Sequence, residues 1–193
     1  MRERLHIKFK SILGSDFVSE FYDDETGKLY KESVIESVYN NKTLIASGGN
    51  IEIIKYGHSD GLMQFKYLKK EKAFYGYQET KRNVSCTDVQ LKKQLLQVLK
   101  YLYDAPIRIQ RKVKVVCLNS EKFYAYVFIE DLKELITSLQ PLFRLSKMSA
   151  SQTWKDQSLK NCIMHIDIPF KIKKMPTDVD LANIQREIYL NCL

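Results

Sequence analysis

Residues 60–81 read DGLMQFKYLKKEKAFYGYQETK. The stretch contains two apolar runs rich in aromatic residues, 62–68 and 73–80, and a charged tetrad, 69–72, separates them. Each run has the length and composition of a β-strand, and the tetrad has the length of a hairpin connection. The stretch therefore predicts an antiparallel hairpin.

The ends of this predicted hairpin carry acidic and basic side chains. If the chain turns near Lys70, Asp60 lies opposite the neighbourhood of Glu79, because opposite residues of an antiparallel pair have a constant index sum. Glu79 and Lys81 are two residues apart on one strand, so their side chains project to the same face. We therefore expect two carboxylates and one amine to converge at one end of a sheet.

Helical and strand patterns surround the hairpin on both sides. We predict helices at 29–41, 88–103 and 130–139 and strands at 51–56, 113–118, 123–129 and 162–172. We expect the polar segment 142–161 to be mostly loop, and Thr177 to cap a last helix. This order of elements predicts an α/β sandwich around one mixed sheet.

The length of 193 residues and the 45% hydrophobic content favour one well-packed domain. We expect residues 1–145 to form the core, and residues 146–193 to form an extension that packs on the core or leads to a further domain. The four cysteines form no CxxC pair and no zinc-type cluster, and the N-terminus lacks an apolar signal core. A cytoplasmic protein without a membrane segment is therefore expected.

The formal net charge of +8 favours a polyanionic partner, nucleic acid before an anionic membrane surface. Lysine and arginine near the acidic end of the hairpin, Arg82 and Lys93 in particular, are candidates for contacts with backbone phosphates. Such contacts position a nucleic acid without reading its sequence, and no recognition helix or zinc finger is apparent.

Two carboxylates and an amine are what phosphodiester hydrolysis requires. Asp60 and Glu79 offer hard oxygen ligands to Mg²⁺ or Mn²⁺, and the carbonyl of Thr80 is a further candidate ligand. The ion would screen the phosphate and lower the pKa of a bound water. Lys81 would orient that water or stabilise charge in the transition state.

The ordered set resembles the PD-(D/E)XK nucleases. It consists of His58-Ser59-Asp60-Gly61, Gln78-Glu79-Thr80-Lys81-Arg82, and Gln94-Leu95-Leu96-Gln97 with Tyr101. It is closest to the N-terminal nuclease domains of restriction–modification polypeptides and type I restriction subunits. The resemblance covers roughly residues 30–129, and it departs from the family at Ser59, where the family name has proline, and at Gln78, where an apolar residue is usual.

The resemblance implies a restriction-endonuclease-like αβα sandwich that hydrolyses DNA. It implies a helper glutamate on the first helix, Glu36 or Glu32. It also implies that Gln97 with Tyr101, or Gln94, lines the site; we count Gln94 and Tyr101 among the candidate nucleic-acid contacts. Methyltransferase and specificity domains or subunits are the implied partners.

Two other hypotheses compete with a metal-dependent endonuclease. One is a catalytically silent module of the same fold that binds nucleic acid or a partner subunit through its basic surface. The other is a small structural or interaction protein without a nucleic-acid role. Cleavage, salt-sensitive binding without cleavage, or no polyanion binding at all would distinguish the three.

Overall fold

The computed structural model describes residues 18–54, 61–67 and 70–192, and within them the chain forms one six-stranded mixed sheet. The strands pair in chain order, and β3 and β4 are parallel while the other neighbours are antiparallel. They are β1 (Ile51–Ile54), β2 (Gly61–Tyr67), β3 (Lys70–Thr80), β4 (Val113–Ser120), β5 (Phe123–Phe128) and β6 (Lys171–Lys174).

Six α-helices lie in the described part of the chain. They are α1 (Glu32–Ala46), α2 (Asp88–Asp104), α3 (Ile107–Gln110), α4 (Lys133–Leu145), α5 (Gln157–Met164) and α6 (Asp178–Cys192). Short 3₁₀ turns occur at Val18–Phe21, Ile129–Leu132 and Ala150–Lys155. Because parallel strands need a crossover connection, the segment containing α2 separates β3 from β4.

The helices cover both faces of the sheet. On one face, Leu95 of α2, Leu139 of α4 and Ile163 of α5 share a buried cluster with Val116 of β4. On the other face, α1 and α6 bury a separate set of apolar residues against the sheet: Ile35, Tyr39, Leu181, Ile184 and Ile188, with Phe74, Val115, Cys117 and Tyr124. The alternation of side chains along each strand feeds both clusters, and the protein is mixed α/β with helices on both sides of the sheet.

The predicted hairpin is confirmed in type and pairing. β2 and β3 are antiparallel, with Gly61 opposite Gln78 and Phe65 opposite Phe74. The connection is shorter than predicted, because Lys70–Lys72 of the charged tetrad belong to β3 and Tyr67 lies opposite Lys70. The register shifts between Phe65 and Tyr67, which is how the hairpin accommodates the shorter connection.

The two predicted helices nearest the hairpin are also confirmed, with changed ends. The helix predicted at 29–41 is α1, which begins at Glu32 and ends at Ala46 before the break at Ser47. The helix predicted at 88–103 is α2, one residue longer. Its N-cap is Thr87, whose hydroxyl oxygen accepts from the backbone N–H of Gln90 at 3.4 Å.

Three predictions in the C-terminal half are wrong. The helix predicted to end at 139 continues through Pro141 to Leu145, since Leu139 and Phe143 are buried on the core face. The segment 142–161 is not mostly loop. It includes the end of α4, a 3₁₀ turn and the start of α5, which Asp156 caps by accepting from the N–H groups of Ser158 and Leu159. The strand predicted at 162–172 is also wrong, because Cys162–Met164 belong to α5 and only Lys171 and Ile172 of that span lie in a strand, β6.

The segment after residue 145 contributes to both faces of the sheet. Leu159 and Ile163 of α5 join one core cluster, while Leu181 and Ile188 of α6 join the other. Thr177 caps α6 as predicted, with its hydroxyl accepting from the N–H of Asp180 at 3.1 Å. Among the described residues, we find no helix with the length and apolarity needed to cross a membrane.

Candidate functional site

Glu79 lies near the end of β3 and is the centre of a polar site. The residue is only 1% exposed to solvent. Its Oε1 atom lies 2.7 Å from the Lys81 ammonium nitrogen and accepts a hydrogen bond from Gln97 Nε2 at 2.7 Å. Glu79 and Lys81 share a face because they are two residues apart on an extended chain. The sequence thus brings a carboxylate, an ammonium group and a carboxamide together, as predicted for these three residues.

Two contacts fix α2 along β3. Tyr101 stacks on Tyr77 with ring centroids 6.2 Å apart, and Gln97, one turn earlier on α2, reaches Glu79, two residues later on β3. Gln97 Nε2 is also 3.4 Å from the Tyr101 hydroxyl oxygen. The helix therefore runs antiparallel to β3, and its polar stripe descends toward the strand end that carries Glu79.

The first turn of α1 closes the site from the other side. Glu32 Oε1 lies 3.7 Å from the Lys81 nitrogen, and Glu32 Oε2 accepts from the backbone N–H of Arg82 at 3.1 Å. The Arg82 guanidinium donates to the Leu29 carbonyl at 3.0 Å. Lys81 thus lies between two carboxylates, and Glu32 is the helix residue seen in contact with it. Glu36, one turn later, is buried at 7% exposure.

The opposite face of β3 carries neutral hydrogen bonds. Gln78 Nε2 donates to Asn40 Oδ1 of α1 at 2.7 Å, and the Thr80 hydroxyl donates to Asn119 Oδ1 of β4 at 2.8 Å. The carbonyl of Asn119 also accepts from the backbone N–H of Lys81 at 2.9 Å. These bonds attach the end of β3 to its neighbours through neutral groups.

Glu121 is a supporting residue that sequence reasoning missed. It lies in the turn between β4 and β5, is 1% exposed, and accepts from the N–H of Asn83 at 3.0 Å. Asn83 has a φ of 59°, a left-handed conformation that asparagine adopts more readily than most residues. Glu121 and Asn119 therefore hold the segment that follows Lys81. Their separation from Lys81 along the chain explains why local sequence patterns gave no signal for them.

The remaining predicted contacts differ in exposure. Lys93 is exposed on α2, one turn before Gln97, and it has no ion pair within the described part of the chain. Tyr101 is half-buried against Tyr77. Gln94 is 3% exposed, so its amide lies inside the protein rather than on the surface, and neither amide atom has a hydrogen-bond partner among the described residues.

Glu79 fits part of the predicted metal site. Its oxygens are the hard ligands that Mg²⁺ or Mn²⁺ prefers. Asp60, the second predicted ligand, lies outside the described residues. No group of three His, Cys, Asp or Glu side chains within the described ranges is arranged to hold a metal ion. The full ligand set, including the Thr80 carbonyl, remains a prediction.

The cysteines lack the features of a nucleophile. Burial raises the pKa of the Cys117 thiol to about 12 and that of Cys192 to about 11. Burial also raises the pKa of Cys86 and of Cys162. Because a thiolate is the reactive form, covalent catalysis by cysteine is disfavoured at neutral pH.

Comparison of the chain with known protein families, with curated proteins and with solved structures gave no match.

Proposed function

We propose that this chain is a metal-dependent endonuclease domain of the PD-(D/E)XK type that hydrolyses DNA phosphodiester bonds. The observation that carries the proposal is the buried Glu79 carboxylate, which contacts both the Lys81 ammonium group and the Gln97 amide at one end of a mixed sheet. Glu-x-Lys on a strand and a glutamine on the following helix are the residues that the resemblance implies.

The sheet and its register support the same proposal. A mixed sheet with helices on both faces is compatible with a restriction-endonuclease-like αβα sandwich. The described register places Gly61 opposite Gln78. Extending that register by one residue pairs position 60 with position 79, and the proposal requires this pairing for Asp60 and Glu79.

The proposed chemistry needs a divalent cation beside the acidic groups. Asp60, Glu79 and the Thr80 carbonyl would hold Mg²⁺ or Mn²⁺, which supplies charge neutralisation at the phosphate and a more acidic bound water. Lys81 would stabilise negative charge that develops on the phosphate oxygens. Gln97, which donates to Glu79, would keep the carboxylate oriented, and Glu32 or Glu36 would assist from α1.

The proposed substrate and setting follow from charge and from the resemblance. Lys93 and Arg82, which are exposed, would contact backbone phosphates, and the half-buried Tyr101 would line the path of the strand, whereas the buried Gln94 would not reach it. We propose a role in a cytoplasmic restriction–modification system, with methyltransferase and specificity functions supplied by other domains or subunits.

Cleavage of supercoiled plasmid in Mg²⁺ or Mn²⁺, with chelator as the blank, tests the proposal. We expect Asp60→Ala and Lys81→Ala each to lower the rate about a hundredfold or more, several kcal/mol of barrier. Lys147→Ala, which removes an exposed lysine outside the site, is the matched control. Metal-dependent cleavage that survives both site substitutions unchanged would overturn the assignment.

A second outcome would favour the catalytically silent module. Lys81 is already held between Glu79 and Glu32, an arrangement that a purely structural ion-pair network would also produce. If the purified protein binds DNA in a salt-sensitive manner but cleaves with neither metal, this alternative replaces the nuclease. The slope of the logarithm of the binding constant against the logarithm of the salt concentration then gives the number of phosphates that the basic surface contacts.

A further inference from the structure

The carboxylate of Glu32 fills a position formed by a cationic side chain and a backbone donor. Its Oε2 accepts from the backbone N–H of Arg82 at 3.1 Å, and its Oε1 lies 3.7 Å from the Lys81 ammonium nitrogen. An ammonium group and a backbone N–H that converge on one pair of oxygens bind phosphate oxygens as well as carboxylates. The position that Glu32 fills is therefore a candidate site for an oxyanion from solution.

Glu32 is held more loosely than the other acidic partner of Lys81. Glu79 lies 2.7 Å from the ammonium nitrogen and its side chain is 2% exposed, whereas the Glu32 side chain is 44% exposed and its contact is 3.7 Å long. That distance exceeds the range of a hydrogen bond, and exposed ion pairs contribute little to stability. An anion from solution can therefore replace Glu32 while the contact between Glu79 and Lys81 is kept.

Arg82 supplies further donors at the start of α1. Its side chain is exposed, and its guanidinium donates to the Leu29 carbonyl at 3.0 Å. A guanidinium group has several N–H donors, and within the described residues this bond engages one of them. The remaining donors lie on an exposed side chain, where they are available to a bound oxyanion.

Charge identifies the class of ligand that suits the position. A phosphodiester group has two oxygens that share one negative charge, as the Glu32 carboxylate has, so it replaces the carboxylate without changing the net charge of the site. A dianionic phosphate monoester would add a second negative charge near the buried Glu79 carboxylate, and like charges repel strongly where water is excluded.

We propose that Glu32 occupies a phosphodiester-binding site formed by Lys81 and Arg82, and that a backbone phosphate must displace its carboxylate to bind. The inference rests on the proposed function, because it assigns the position of a substrate phosphate in the site around Glu79. Only molecules in which Glu32 has left the position are competent to bind, so the apparent affinity is reduced by the fraction in which the carboxylate is in place.

An NMR titration of the protein with dimethyl phosphate, in chelator and without divalent metal, tests the proposal. The reporter is the backbone amide signal of Arg82, whose hydrogen-bond acceptor changes from a carboxylate to a phosphate oxygen. We expect Glu32→Ala to bind the diester about fivefold more tightly than the unmodified protein, or better. The Arg82 signal should reach the same position at saturation in both proteins, because the same group is then bound.

Two further variants separate occupation of the site from a general effect of charge. Glu32→Gln keeps an acceptor for the Arg82 N–H but has no charge, and it should bind the diester with intermediate affinity. Asp167→Ala removes one exposed negative charge outside the helices and strands and should bind as the unmodified protein does. Melting curves verify that each variant is folded.

Competition with a free carboxylate completes the test. Formate should enter the position vacated in Glu32→Ala and weaken binding of the diester, whereas chloride at the same concentration should have a smaller effect. An affinity of Glu32→Ala equal to that of the unmodified protein, or tighter binding that leaves the Arg82 amide signal unchanged, would overturn the proposal. Because no metal is present, diester binding without any plasmid cleavage would reject the nuclease and keep this site, whereas cleavage without the expected gain in affinity would reject only the role of Glu32.

Discussion

The two faces of β3 differ in the kind of polar group that they bury. On the α2 face, Glu79 contacts an ammonium group and a carboxamide, whereas on the α1 face Gln78 and Thr80 form neutral hydrogen bonds. Both faces are almost inaccessible to solvent. The neutral pairs attach β3 to α1 and to β4 without an ion pair. A buried ion pair is weak support for stability because desolvation offsets much of its attraction, and in the proposed nuclease the charge on the α2 face serves the reaction.

Substituting one residue on each face gives the largest expected contrast. Glu79→Gln keeps the size and removes the negative charge, and we expect plasmid cleavage to fall about a hundredfold or more, about 3 kcal/mol of barrier. Gln78→Met removes the amide that donates to Asn40 and should leave the rate per folded molecule within about threefold. The two variants are compared by their rates of plasmid cleavage in Mn²⁺, each divided by the fraction of protein that is folded. Equal losses at the two positions would remove the functional distinction between the faces.

Much of this contrast follows from the sequence, because it depends on local periodicity. The two-residue spacing of Glu79 and Lys81 predicts a shared face, and the four-residue spacing of Gln97 and Tyr101 predicts one stripe of a helix. The apolar repeat of α2 predicts its extent to within one residue. Each of these patterns depends only on the spacing of residues within a single helix or strand.

The parts that the sequence did not predict depend on distant pairing or on tertiary burial. Asn119 and Glu121 support the segment after Lys81 only because β4 lies parallel to β3, and no local pattern encodes that register. Pro141 suggested the end of a helix, yet α4 continues past it. Because proline has no backbone N–H, the last turn of α4 loses one backbone hydrogen bond at most, and the burial of the Phe143 side chain compensates for that loss.

Removing the charges of the site tests whether they stabilise the fold. Lys81→Met leaves the buried Glu79 carboxylate without its ammonium partner, and we expect a loss of about 3 kcal/mol in the free energy of unfolding. Glu79→Leu combined with Lys81→Met removes both charges and should lie within about 1 kcal/mol of the unmodified protein. Urea unfolding followed by circular dichroism measures both values. A double variant that is as unstable as the single one would show that the pair holds the fold together.

The neutral face should respond in stability alone. The Tyr39 hydroxyl of α1 lies 2.7 Å from the Ser120 carbonyl oxygen and 3.2 Å from that of Phe123, and it thereby attaches α1 to the turn between β4 and β5. Tyr39→Phe keeps the ring and should lower the free energy of unfolding by about 1–2 kcal/mol, because buried carbonyl groups lose a donor. Chemical denaturation provides the stability, and plasmid cleavage per folded molecule should not change. A large loss of cleavage without a loss of stability would assign the Tyr39 hydroxyl a direct role in the reaction.

An exposed ion pair between Lys171 of β6 and Glu187 of α6 gives the smallest expected effect and a defined pH dependence. The pKa of Glu187 lies below its ordinary value of 4.5 because Lys171 donates to the carboxylate and the Tyr126 hydroxyl donates as well, against a smaller opposing effect of burial. A carboxylate whose pKa is lower in the folded state stabilises the protein above its unfolded pKa. That contribution is lost as the pH falls through the folded value.

Glu187→Gln should therefore cost about 0.2–1 kcal/mol at pH 7, as is usual for exposed ion pairs. The difference from the unmodified protein should shrink as the pH falls below about 4.5, the ordinary pKa. Unfolding measured from pH 7 to pH 3 provides the profile, and Asp167→Asn, at an exposed position outside the helices and strands, corrects for the loss of one exposed negative charge. A difference that grows toward acidic pH would have the wrong sign and would mean that Glu187 is more readily protonated in the folded protein. If the profile has the expected sign and size, the exposed Glu187 carboxylate of α6 contributes modestly to stability, in contrast to the buried carboxylate of Glu79.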